Sequence, residues 1–185
     1  MMYRRTFIAT FVTLGLAGCS LPMTQRSAPR PVMDRSYDLR EFRFQAPSDL
    51  KVSESESYYP TADVVWRGDP QGPRVSQIRD MFEYAVDRNR GVVVGRRPID
   101  LEVALVRFHG VTNRTRYSVG GVYNIVFDLT VRDAMTGAVI EPTRRVVGNL
   151  DAPGGEEAVR LEQSGQTEKV RVRDFLTGFL RSQLV

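Results

Sequence analysis

Three alternating runs, two of them joined by a short turn, constrain this chain more than any other feature. In residues 122–132, Tyr123, Ile125, Phe127, Leu129 and Val131 fall on every second position, the period that places them on one face of a β-strand. Asp133-Ala134-Met135-Thr136-Gly137 reads as a turn, and Ala138-Val139-Ile140 begins a return strand that residues 143–150 continue. Gly137 can adopt the left-handed backbone that such a turn demands. Upstream, Ile99, Leu101, Val103 and Leu105 alternate with Asp100, Glu102, Ala104 and Val106. That strand is expected to be polar on one face early and buried on both faces later.

Such a sheet needs a cover, and two segments supply one. After Pro73, suited to a first helical turn, Val75, Ile78, Met81, Phe82, Ala85 and Val86 recur at helical spacing. Arg79 and Glu83 stand four apart on the outer face, and Gly91 is the expected C-terminal cap. Near the end, Val172, Phe175, Leu176, Phe179 and Leu180 repeat the pattern. Shorter strands are expected over residues 37–45 and 62–67, with irregular chain over 151–165. The order strand, strand, helix, three strands, helix predicts an α+β two-layer sandwich: a mainly antiparallel sheet covered by two amphipathic helices.

The N-terminus has a different character. Met1-Met2-Tyr3-Arg4-Arg5 is basic, and residues 6–17 are uncharged and mostly apolar. This is the make-up of a secretory signal, too short for a bilayer span of about 20 residues. The quartet Leu16-Ala17-Gly18-Cys19 resembles the lipobox of bacterial lipoproteins. The resemblance implies cleavage before Cys19, diacylation of its sulfur and acylation of the new amine. Residues 19–34 then form a flexible lipidated tether rich in Pro, Ser and Arg, and residues 35–185 a single periplasmic domain. Fourteen flexible residues reach roughly 20 Å. In the enterobacterial sorting pattern Ser20 favours the outer membrane.

Composition narrows the chemistry. Without residues 1–18 the chain carries 24 basic and 22 acidic groups, and only Lys51 and Lys169 are lysines. This near-neutral balance predicts no nucleic-acid partner. Cys19 is the only cysteine, so no internal disulfide is expected once it is acylated. His109 is the only histidine, and no Gly-x-Ser-x-Gly elbow occurs. One histidine without a free thiol lacks a zinc ligand set, and Gly120-Gly121 lacks phosphate-loop spacing. No catalytic residue, cofactor or metal is therefore expected. Asp100 and Glu102 share a strand face and are expected to keep that end of the strand soluble or to pair with arginine. The run Ser53-Glu54-Ser55-Glu56-Ser57 reads as a solvated loop. Arg114, Arg116, Arg144 and Arg145 are a candidate basic patch. The candidate partner-binding surface is one face of the sheet or the loop from His109 to Gly121, in which His109, Asn113, Arg114, Arg116 and Tyr117 are the candidate residues.

Val106-Arg107-Phe108-His109, Arg116-Tyr117-Ser118-Val119-Gly120-Gly121-Val122-Tyr123, Thr130-Val131-Arg132-Asp133-Ala134-Met135-Thr136-Gly137 and Gln166-Thr167-Glu168-Lys169-Val170-Arg171 resemble a family of uncharacterised bacterial lipoproteins carrying a domain of unknown function. That family brings no activity to transfer. The lipobox with the helix-on-sheet order is similar to auxiliary lipoproteins of envelope lipid-transport systems. The expected function is a non-enzymatic binding or structural component of the cell envelope, anchored in the membrane through its N-terminal lipid and engaging an envelope protein. The alternative is a lipid- or ligand-binding accessory of an envelope transport system, with an apolar groove between helix and sheet.

Overall fold

Alternation along three long strands is what the structure turns into a sheet. It is a computed structural model that describes residues 35–185. The quartet at 16–19 and the tether up to residue 34 lie outside the described residues. The strands are β1 (Tyr37–Gln45), β2 (Val64–Val65), β3 (Arg97–His109), β4 (Gly121–Asp133) and β5 (Val139–Ala152). The helices are α1 (Arg74–Arg90), α2 (Asn113–Arg116), α3 (Gly155–Gln163) and α4 (Glu168–Ser182). In the sheet the order is β1-β3-β4-β5, with β2 beside the end of β3. The long ladders β3–β4 and β4–β5 are antiparallel. β1 and β2 join β3 in parallel. The fold class is thus the expected α+β.

One sheet face is apolar. Ile99, Leu101, Val103 and Leu105 of β3 and the five alternating residues of β4 are all buried there. A register shift between Leu105 and Arg107 keeps Phe108 on the same face, opposite Ile125. The predicted burial of both faces late in β3 does not occur, because Val106, Arg107 and His109 stay only half-buried. Helices α1 and α4 cover the apolar face. Phe82 meets Phe127 edge-to-face at 5.3 Å between ring centroids, and Phe127 meets Phe179 at 6.2 Å. Such edge-to-face pairs add roughly 0.5–1.5 kcal/mol each to the burial of the rings. The other face has no helix on it and is laced by charge pairs. Arg145 binds Asp128 at 2.9 Å, Arg132 binds Glu102 at 2.8 Å, and Arg43 bridges Asp100 and Glu102 at 3.6 and 3.3 Å. The expected pairing of Asp100 and Glu102 with arginine is what the structure shows.

Turns and caps follow from local chemistry. Asp133 Oδ1 accepts from the Met135 and Thr136 amides and the Thr136 hydroxyl, and these bonds hold the Asp133 carboxyl below its ordinary pKa. Gly137 has φ +73°, as the hairpin required. Gly91 is the C-cap of α1 but is right-handed, with φ −86°. In the last turn Asn89 is buried and its side-chain amide donates to the Ala85 and Thr177 carbonyls. Residues 151–165 are not irregular, because α3 occupies most of them. It starts at Gly154, carries Glu156 and Glu157 in its first turn, where the helix dipole favours them, and is followed by Gly165 at φ +81°. Only Ala158 of α3 is buried, which leaves no apolar stripe to read. The strand expected over 62–67 shrinks to Val64–Val65.

The chain enters this body beside the β4–β5 turn. Arg35 and the Tyr37 hydroxyl both bind the buried Glu141, at 3.0 and 2.8 Å. Burial and the Glu141 carboxylate push the Tyr37 phenol up to about 12. From there β3 runs thirteen residues, roughly 40 Å at 3.3 Å per residue, to the opposite end of the sheet. The candidate loop begins there.

A candidate functional site at the distal end of the sheet

Two segments meet at this end. Residues 110–120 connect β3 to β4 around α2, and residues 53–63 precede β2. Thr112 caps α2, its hydroxyl accepting from the Thr115 amide at 3.2 Å and donating to the Ser57 carbonyl. Glu56 accepts from the Asn113 amide at 2.8 Å, and its carboxylate also binds Arg67 at 2.7 Å. Arg67 donates to the Ser53 and Ser55 carbonyls as well. Glu54 takes both arms of the Arg74 guanidinium at 2.7 and 2.9 Å, and this bond holds its carboxyl below the usual range. The acidic run is the expected solvated loop, exposed along most of its length, but its carboxylates are engaged. Its two glutamates reach α1 through Arg74 and the start of α2 through the Asn113 amide.

The candidate residues take separate roles in this frame. His109 Nε2 lies 3.0 Å from the Pro60 carbonyl, which requires a proton on that nitrogen. Asn113 and Arg114 are exposed, and the Arg114 guanidinium sits 4.6 Å over the Tyr58 ring. Its proximity lowers the Tyr58 phenol. Tyr117 is half-exposed and Val119 is 70 % exposed. Arg116, in contrast, is buried, binding Glu162 at 2.9 Å and Glu168 at 3.4 Å. The expected basic patch does not assemble. Arg144 contacts Glu141 and Gln183, Arg145 is on Asp128, and Arg116 is enclosed. Sequence alone missed Val119 and Tyr59, which is 82 % exposed, because isolated apolar residues in a loop show no period.

Close backbone approach fixes the loop. Gly120, at φ +71°, crosses Gly154, and a Cβ on either would collide with the other's backbone. Below the crossing Glu168 is buried with Arg116 against Tyr123. Desolvation raises the Glu168 carboxyl despite the pull of Tyr123 and Arg116, and drives Tyr123 well above an ordinary phenol. A carboxyl with a raised native pKa holds its proton better folded than unfolded. It contributes stability below the ordinary value of 4.5, and loses that contribution as pH rises through the higher native value. Urea unfolding of wild type and Glu168→Gln between pH 4 and 7 should show the wild type losing ground steadily to the variant. A wild type that holds its position relative to the variant, or gains on it, as pH rises would contradict the buried acid.

The geometry defines an α+β body, one sheet face roofed by helices, with a rigidly braced loop at its far end. Among the described residues no group of three or more His, Cys, Asp or Glu gathers as a metal site, and no helix is long and apolar enough to cross a membrane. The chain belongs to DUF6778, a family of unknown function whose pattern matches residues 37–185. The expected kinship with uncharacterised proteins carrying a domain of unknown function is met. No curated protein matches. Among solved structures the chain is similar to a Xanthomonas campestris protein of family DUF330, with 12 % identity, TM-score 0.47, and 84 % of this chain and 89 % of that one covered. It is also similar to a minor lipoprotein from Acinetobacter baumannii, with 8 % identity, TM-score 0.34, and 80 % and 92 % covered.

Proposed function

We propose that this protein is a lipid-anchored, non-enzymatic component of the cell envelope. It faces the periplasm from the outer membrane and uses its distal loop to bind an envelope protein. The observation that carries the reading is polarity. The chain joins its body beside the β4–β5 turn, while Asn113, Arg114, Tyr117 and Val119 are displayed roughly 40 Å away along β3. The lipobox-like quartet ending in the sole cysteine supports the anchor. Tyr117 and Val119 give the exposed aromatic and aliphatic character typical of interface centres. The apolar groove that a lipid carrier would need between helices and sheet is filled by Phe82, Phe127 and Phe179, which favours the binding reading over the transport accessory. Photo-cross-linking from position 117 in intact cells should yield one dominant protein adduct. The same probe at Glu83, on the opposite helix layer, should not. Equal yields from both positions, or adducts to bulk membrane only, would defeat the assignment.

A further inference from the structure

Residues 59–63 pass over the end of β3 on the face without helices, held there by the His109–Pro60 bond. Between them lies an open depression of about 450 Å³, lined by Lys51, Tyr59, Asp63, Arg107 and His109 among others. Arg107 reaches this face because the register shift after Leu105 turns Phe108 inward and its neighbours outward.

Arg107 is unlike the other arginines of that face. Arg43, Arg132 and Arg145 each rest on a carboxylate. Arg107 Nε is buried without a hydrogen-bond partner, and no carboxylate among the described residues pairs with its guanidinium. With no carboxylate on its guanidinium, the charge of Arg107 at the wall of the depression is left without an ion pair among the described residues. The second cation at this depression, Lys51, also lacks an ion pair among the described residues, whereas Lys169 is paired with Asp69. Asp63 is the one carboxylate in the lining. It is already engaged, its Oδ2 accepting from the Lys51 amide at 2.9 Å. Two cations against one committed carboxylate leave the depression with an excess positive charge.

We propose that Arg107 and Lys51 form a binding site for a phosphate group. A planar guanidinium donates two parallel hydrogen bonds to neighbouring phosphate oxygens, and an ammonium adds a point charge beside them. The depression exceeds a bare phosphate in size. Tyr59, Pro60 and Ala62 line the remainder, so the ligand is a phosphate ester with an organic portion. A phosphorylated solute and a phospholipid headgroup share this chemistry. The site belongs to the folded body and does not depend on acylation of Cys19 or on the distal loop having a protein partner.

The test follows the Arg107 Nε–H resonance in the full chain, labelled with ¹⁵N-arginine and held in uncharged detergent. Inorganic phosphate is titrated in one arm and short-chain phosphatidylglycerol in the other. Saturable shifts are expected in at least one arm. Saturation by phosphate identifies a solute site, and saturation by the lipid alone identifies a headgroup site. Arg107→Gln, followed through neighbouring amides, should weaken binding roughly tenfold or more, as loss of a charge-assisted bond pair requires. Lys51→Gln, at an exposed position that leaves the fold intact, should weaken it severalfold, and Arg114→Gln should have no effect. No saturation in either arm, or unchanged affinity in both Arg107→Gln and Lys51→Gln, would overturn the site.

Discussion

Replacement of Cys19 by alanine, together with exchange of residues 1–18 for a secretory signal whose cleavage needs no cysteine, is expected to move the protein from the membrane fraction to the soluble envelope fraction almost completely. The reason is the arithmetic of acyl chains. Each buried methylene contributes about 0.8 kcal/mol, one myristoyl-length chain binds only reversibly, and two or more anchor stably. Loss of the only cysteine removes every acylation point on sulfur, and the exchanged signal is still cleaved, so no apolar leader remains to hold the chain. The released chain should remain folded, because its core residues lie between Tyr37 and Leu184. Fractionation, with mass spectrometry of the mature N-terminus, reads the outcome. A Cys19→Ala protein still sedimenting with membranes, or a wild-type N-terminus elsewhere with an unmodified thiol, would remove the anchor from the proposal.

The second large effect concerns stability. Phe127 is fully buried at the centre of the sheet and is the ring on which Phe82 and Phe179 converge. Phe127→Ala loses the transfer free energy of the ring and leaves a cavity that two helices border, a combination that costs about 3–5 kcal/mol. For a body of this size the melting temperature should drop by roughly 6–20 °C. Val147→Ala, 53 % exposed on the face without helices, serves as control and should stay within about 0.5 kcal/mol of wild type. Thermal unfolding by circular dichroism compares them. Equal losses from both would mean that the helices do not pack on Phe127 as described.

What could be read from sequence divides along a physical line. β3, β4, β5, α1 and α4 were legible because each buries one face, so hydrophobic periodicity reports them directly. The partner of β1 was not. Parallel pairing with β3 depends on a crossover through β2 and α1 that no local pattern encodes. Helix α3 escaped because it buries only Ala158 and depends on Gly154 and its first-turn glutamates. Charge misled in a similar way. Arg67, Arg74 and Arg116 look like surface residues in one dimension, yet pairing with Glu56, Glu54 and Glu168 lets all three side chains be buried. Arg107 carried no sequence signal at all. Its interest arises from the carboxylate it lacks, which only the three-dimensional neighbourhood reveals.

The parallel placement of β1 also sets a timetable for folding. Tyr37 pairs with Arg97, sixty residues further along, so a chain delivered N-terminus first presents this strand well before its ladder exists. At the pace of synthesis, about 5–20 residues per second, the wait lasts roughly 3–12 s. For most of it Tyr37, Leu39, Phe42 and Phe44 have neither strand nor helix to pack against, since α1, whose Phe82 meets Phe44, follows only late. A nascent chain of this design therefore needs shelter for its leading segment, and a holding chaperone in its compartment would find its first target there.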